Sequence, residues 1–301
     1  MPNGVRHNMD AKKLEKAGKI AAEVREYAKT FAKAGTPLMK ITEAVEKKIS
    51  DLGAKPAFPI NISINHVAAH HTPLFKETLV LKDGDLVKFD IGVHVDGYIA
   101  DTAVSVSIGK YPENDGLIKA AEAALAAAVK LAVPGTELRE IGAAVEKAIT
   151  DAGFQPIKNL TGHSVDEFDL HAGLSIPNFD NKSKVKLEKD MVIAIEPFAT
   201  TGAGYVNEGA EVQIFKLINP MNIRTGREIL EFVAENYNVM PFAKRWLVEK
   251  FGTMKTELFL REALSKNILH PYHILVENAG AKVAQAEHTV IVGDKPQITT
   301  K

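Results

Sequence analysis

Two stretches of this chain, a hundred residues apart, repeat one another. Gly35–Pro56 (GTPLMKITEAVEKKISDLGAKP) and Gly135–Pro156 (GTELREIGAAVEKAITDAGFQP) align without a gap and share 12 of 22 positions. The identities include the bounding glycines and the final proline, so caps and loops recur along with the apolar helix face. Two amphipathic helices that converged by chance would share only the apolar spacing. An internal duplication accounts for the rest, and it predicts a pseudo-twofold fold.

The flanking chain follows the same plan. Ala11 to Lys33 has apolar residues at Leu14, Ala17, Ile20, Val24, Tyr27 and Phe31, a helical period that stops at Gly35-Thr36-Pro37. Ile118 to Leu131 is an alanine-rich helix that breaks at Pro134-Gly135-Thr136. Within the repeats, Leu38, Ile41, Val45 and Ile49 form one apolar face, and Leu138, Ile141, Val145 and Ile149 its copy. Strand-rich chain follows each helix pair, over Leu79–Ile108 and Leu160–Leu217. The expected class is α+β, with outer helices packed on an antiparallel sheet. Met221 to about His270 has no counterpart in the first half and reads as a small helical insertion, which ends before a closing strand at Glu287–Val292. The first eight residues, MPNGVRHN, read as a tail or expression remnant, with the main domain over 9–301 and the insertion over 221–270.

Composition narrows the chemistry. Lysine and arginine (37) balance aspartate and glutamate (38) with no basic run, which argues against specific nucleic-acid binding. There is no cysteine, so a metal would be held by carboxylates and histidines. No apolar run reaches membrane-spanning length and no signal pattern opens the chain, so a cytoplasmic location is expected.

The hairpin segment KFDIGVHVDGYIADT, Lys88 to Thr102, sets Asp90 and Asp101 inside β-branched runs. If Asp96-Gly97 is a two-residue loop, Asp101 lies opposite Gly92 with Asp90 as its diagonal neighbour. A loop centred one residue earlier puts the two acids face to face, and either register leaves them on one face. Two carboxylates this close need a cation or a shared proton. Solvated strand-end aspartates are an equal reading of this segment alone. Three further segments tip the balance. NLTGHSVDEFDLHAGLSIPN carries His163 and His171, MVIAIEPFAT ends an apolar run in Glu196, and AEHTVIV holds Glu287. Four carboxylates and at least one histidine suit two divalent ions about 3.5–4 Å apart.

Taken with FPINISINHVAAHHTP and the DTA that follows Ala100, these motifs resemble the methionine aminopeptidases of type 2, in order from Met9 to the C-terminus. The helical insertion marks type 2, and the form resembles the archaeal one. The resemblance implies the pita-bread fold, pseudo-twofold like the duplication. It also implies co-translational removal of N-terminal methionine by dinuclear-metal hydrolysis of the first peptide bond, with a small second residue preferred. By motif, Asp90, Asp101, His163, Glu196 and Glu287 would hold two divalent ions (cobalt, manganese, iron or zinc), with Glu196 also the proton shuttle. His70 and His171 would contact the substrate, and Phe58, Leu170 and Tyr272 would line the methionine side-chain pocket. The chain departs from the family at His71, often tyrosine, and at Ala286, commonly phenylalanine. Expected partners are nascent chains beginning with methionine, with the ribosome a candidate, no membrane, and a monomeric state. A prolidase- or aminopeptidase P-like exopeptidase is the alternative, expected to carry a large domain ahead of this fold. An inactive scaffold is expected to have lost ligands that this sequence keeps. The other histidines are expected to be structural or solvated, though His94 shares a face with Asp90 by parity.

Overall fold

The computed structural model describes residues 10–221 and 223–301, so the tail expected at 1–8 lies outside the described residues. The first half runs α1 (Ala11–Lys29), α2 (Leu38–Asp51), β1 (Lys55–Pro56), β2 (Asn61–Ile64), β3 (Val67–Ala69), β4 (Leu86–Val95) and β5 (Tyr98–Ser107). The second opens with α3 (Pro112–Val129), α4 (Leu138–Asp151), β6 (Gln155–Pro156), β7 (Thr161–Ser164), β8 (Ser175–Pro177), β9 (Val192–Ile195), β10 (Phe198–Thr200) and β11 (Asn207–Leu217). It continues through α5 (Arg227–Asn236), β12 (Phe242–Ala243), α6 (Lys244–Phe251), α7 (Thr253–Ser265), β13 (Leu269–Val276), β14 (Val283–Gln285), β15 (His288–Ile291) and β16 (Gln297–Ile298). The named strands pair antiparallel, as the α+β reading requires.

The duplication reappears in backbone hydrogen bonds. Gly35 N donates to Leu81 O and Leu38 N to Leu79 O; Gly135 N donates to Leu187 O and Leu138 N to Val185 O. Both glycines need a left-handed backbone, φ 83° and 90°, which explains why both copies keep them. The apolar faces read from the sequence are the buried ones. Ile41, Val45 and Ile49 pack with β2 and β4, and Ile141, Val145 and Ile149 with the β9–β15 layer. Full burial of each such side chain contributes about 1.5–3 kcal/mol. The helix α1 stops at Lys29 rather than Lys33, because Thr30 Oγ1 and Phe31 N bond back to Tyr27 O and Ala28 O in a tightened last turn. The helix α3 starts at Pro112, earlier than expected, with proline in the first turn beside Glu113 and Asp115.

The strands obey the same symmetry. Ser63 on β2 faces Lys88 on β4 where His163 on β7 faces Ala194 on β9, so β4 maps onto β9 at an offset of 106. Gly92 faces Asp101 on β5 where Phe198 on β10 faces Gln285 on β14, so β5 maps onto β14 and β15 at an offset of 184. The helices α5 to α7 lie between β11 and β13, which pair directly (Ile214 opposite Tyr272), around a core that includes Phe215, Phe242 and Phe259. Periodicity does not mark β13, whose Pro271 and unbroken run of part-buried residues spoil the alternation of a strand. Arg245 of α6 is buried, bonds to Glu46 of α2 and donates to Thr72 Oγ1 at 2.6 Å; Trp246 Nε1 donates to Glu46 Oε2 at 3.0 Å.

Candidate metal centre

The hairpin adopts the two-residue loop. Val95 pairs with Tyr98, and Asp96 (φ 50°) and Gly97 (φ 92°) take the left-handed conformations of a type I′ turn. Asp101 therefore faces Gly92, and Asp90 faces Ala103 one pleat away on the same sheet face. Each carboxyl lies near enough to the other to perturb its ionisation. Asp96 extends into solvent, where it pairs with Lys13 at 3.1 Å. His94 Nδ1 accepts the Gly97 N–H at 3.1 Å, which makes it a turn residue.

The second half closes over these acids. Thr289 Oγ1 accepts the Asp101 N–H at 2.7 Å and donates to Asp101 O at 2.8 Å. Ser105 Oγ does the same to the backbone of Gln285, at 2.8 and 2.7 Å. These two pairs of bonds are mates under the strand offsets, a reciprocal clasp that fixes the halves in register. It brings Glu196 and Glu287 onto Asp90 and Asp101, all lining one cavity of about 320 Å³. His163 Nε2 lies 3.6 Å from Asp101 Oδ2 and 3.7 Å from Glu196 Oε1. Asp101, His163 and Glu287 can present ligand atoms within 4.8 Å of one another. Asp90 and Glu196 adjoin this group, linked by Gln285, whose Nε2 donates to Asp90 Oδ2 at 3.3 Å and to Glu196 Oε2 at 3.4 Å.

Three observations test whether a cation fits here. Asp90 Oδ1, Asp101 Oδ1 and Glu287 Oε2 are buried and have no hydrogen-bond partner. Such orphaned acceptors are costly unless a cation meets them. His163 directs Nδ1 to Ser164 O at 3.3 Å; a carbonyl only accepts, so Nδ1 carries the proton and the Nε2 lone pair faces the acids. Burial pushes Asp90 up to about 7, and burial with the neighbouring charges holds Asp101, Glu196 and Glu287 well above the ordinary carboxylate range. Burial lowers His163 to about 4, which keeps its ring neutral and able to ligate. The donor set suits divalent cations.

The remaining wall carries two further histidines and apolar side chains. His70 has a left-handed backbone, φ 64°, a conformation that costs a non-glycine residue about 1–3 kcal/mol and clusters at functional sites. Its Nδ1 donates to His273 O at 3.0 Å, leaving Nε2 as an acceptor. His171 packs edge-on to His163, ring centroids 4.5 Å apart, and burial pushes it down to about 3. Tyr272 lies edge-on to His70 at 5.4 Å. Phe58 and Leu170 line the same cavity. Phe58 fits because residue 92 is glycine: a Cβ there would sit 2.2 Å from its ring. The loop that carries Leu170 and His171 is tied to the hairpin by Phe168 N donating to Gly97 O at 2.9 Å. All ten residues singled out in the sequence thus line one cavity. His71 instead turns to Ile62 O, and Ala286 is buried in the core. Sequence reasoning missed Gln285, Asn61 and Thr289. Gln285 stands two residues before Glu287, one pleat along in AQAEH, and that parity was the available signal.

The sequence matches metallopeptidase family M24 over residues 12–294. It is 45% identical over 295 residues to the methionine aminopeptidase of Pyrococcus abyssi, covering 97% of this chain and 99% of that one. To the methionine aminopeptidase of Archaeoglobus fulgidus it is 47% identical over 293 residues, 96% and 98% of the two chains. The crystal structure of methionine aminopeptidase from Thermotoga maritima superposes with a TM-score of 0.71 at 22% identity, covering 96% of each chain, which speaks for the shared pita-bread fold. Among the described residues no helix is long and apolar enough to cross a membrane. With its duplicated fold, its buried acid and histidine cluster and these relatives, the chain belongs to metallopeptidase family M24 and, within it, to the methionine aminopeptidases.

Proposed function

We propose that Asp90, Asp101, His163, Glu196 and Glu287 hold two divalent cations and that the cavity beside them removes the N-terminal methionine of a peptide. The observation that carries this reading is the gathering in one cavity of acids with orphaned oxygens and of the His163 Nε2 lone pair, with ligand atoms of Asp101, His163 and Glu287 within 4.8 Å of one another. Four carboxylates and one neutral histidine balance the charge of two dications, whereas unpaired they would be driven to hold protons. Bound ions would supply an activated water and polarise the carbonyl of the first peptide bond.

The side chains divide the remaining work. Glu196 takes the proton of the attacking water and passes it to the leaving amine, base first and acid afterwards. His171, neutral and reaching the open side of the cavity, donates to the carbonyl oxygen as negative charge develops there. His70, its Nδ1 proton engaged by His273 O, offers Nε2 to a substrate amide N–H. Phe58, Leu170 and Tyr272 hold the methionine side chain, and the substrate has a small second residue. Residues 221–270 act as an inserted helical subdomain of one catalytic domain. The substrates are N-termini of nascent cytoplasmic chains.

The test is metal analysis of chain purified without added metal, then hydrolysis of Met-Gly-Ser and of a Xaa-Pro dipeptide with each ion restored. Cleavage of Met-Gly-Ser that survives complete chelation would sink the reading. Preference for the Xaa-Pro peptide would move the chain to the prolidase-like alternative.

A further inference from the structure

Hydrogen-bonded to the acid cluster is a polar side chain that stands at a mated ligand position without belonging to the ligand set. Under the strand offsets, Asp90 on β4 maps onto Glu196, and Asp101 on β5 maps onto Gln285. The clasp confirms the mapping independently: Ser105 bonds both backbone groups of Gln285 as Thr289 bonds both of Asp101. Gln285 is thus the pseudo-twofold mate of an acid in the cluster. It is buried, 1% exposed, and its Nε2 bonds one oxygen of Asp90 and one of Glu196, themselves mates of each other.

We infer that Gln285 is a positioning residue of the hydrolytic site, a neutral double donor that clamps Asp90 and Glu196 across the pseudo-twofold axis. The inference rests on the metal reading given above. Each N–H occupies one carboxylate oxygen, Asp90 Oδ2 and Glu196 Oε2. The opposite oxygens, Asp90 Oδ1 and Glu196 Oε1, remain for cations, the first without a partner and the second facing His163. A glutamate at 285 could not donate two hydrogen bonds, and as a fifth carboxylate it would outweigh two dications. That is a physical reason for the halves to differ at this position. Holding both acids by one amide also couples the ligands of the two halves directly, where the clasp reaches only backbone.

The test compares the parent with Gln285→Met, similar in length but without donors, and with Gln285→Glu, equal in size and oppositely suited. Each is titrated with Co2+ by calorimetry, its visible Co2+ spectrum is recorded, and kcat and KM are measured on Met-Gly-Ser. Loss of an outer hydrogen-bond partner costs about 10–100-fold in metal affinity or activity. Both variants are expected to show weakening of that order for Co2+, a shifted spectrum, and a lower kcat with KM little changed. Gln285→Glu also serves if Gln285→Met does not fold. Parent-like affinity, spectrum and kcat in a folded variant would overturn the assignment while leaving the metal centre standing. A parent chain that binds no Co2+ would overturn the metal centre and the clamp together.

Discussion

The two halves of the molecule share one scaffold and differ in what they place on it. At the mated positions 63 and 163 stand serine and histidine, at 90 and 196 aspartate and glutamate, at 101 and 285 aspartate and glutamine. Only one of these three pairs is acidic in both halves. A site repeated without change would put extra carboxylates around the same volume, and desolvated like charges repel. The second half carries the histidine and, at the mate of Asp101, a neutral amide. The backbone stayed symmetric because it is held by packing and by the Ser105 and Thr289 clasp, which tolerate no drift in register. The helices tell a similar story. Glu46 and Glu146 are the same residue of the repeat, yet Glu46 receives the buried Arg245 while Glu146 bonds Asp180 N at 3.2 Å and Lys158 at 3.5 Å.

The sharpest break in the symmetry is expected at 63 and 163. His163→Ala should lower metal affinity and kcat/KM by more than about 100-fold, beyond the cost of losing an outer partner. Ser63 Oγ is buried without a partner, so Ser63→Ala should leave activity unchanged and stability equal or higher. Comparable losses from both would mean that the halves contribute alike. Next comes the glutamate pair, read by denaturant unfolding. Glu46→Ala strands the buried Arg245 and should cost about 3–5 kcal/mol. Glu146→Ala removes a half-exposed pairing and should cost about 1 kcal/mol or less.

A third contrast lies at 42 and 142. The first repeat has Thr42, fully buried; the second has Gly142, where a Cβ would come within 2.0 Å of Phe179 O. Gly142→Thr, importing the residue of the other repeat, should cost about 1–3 kcal/mol by overpacking. Thr42→Ala, which removes a partnerless hydroxyl, should cost under about 1 kcal/mol. Equal costs would show that the second repeat can relax around its loop.

The smallest effect separates the acid cluster from the histidines outside it. Asp90, raised to about 7 from an ordinary 3.8, stabilises the metal-free fold below the unfolded value and loses that contribution as pH rises through 7. His94 and His288, lowered to about 4, act in the opposite sense: their contribution is present above about 6.5 and lost as pH falls through 4. Cations bind the deprotonated cluster and displace its protons. The rise in Tm on adding Mn2+ should therefore be larger at pH 7 than at pH 5, since His94 and His288 hold no ion and affect both forms equally. A gain independent of pH would mean that the acids are already ionised in the metal-free chain.

Local sequence went far here because strand parity and helix period are local. Apolar spacing locates the helix faces, Asp96-Gly97 offers the turn, and the gapless repeat shows the duplication without any long-range information. Two hairpin registers remained open until the φ angles of Asp96 and Gly97 selected one. β13 stayed hidden because its partners, β11 and β3, lie far away in sequence and its own pattern is interrupted by Pro271. Gln285 stayed hidden for a related reason. An amide next to an acid motif has no distinctive local signal, and its importance depends on which strand it meets.

By itself, then, the sequence determined the repeated scaffold, the alternation that puts Asp90 and Asp101 on one face, and the donor types that a cation would find. Tertiary structure alone decided that Glu196, Glu287 and His163 meet those aspartates and that Gln285 reaches Asp90 and Glu196 together. The clasp joins Asp101 to Thr289 and Ser105 to Gln285 across most of the chain. Periodicity says which face a side chain takes, but the pairing of distant strands is set by the burial of both half-cores at once.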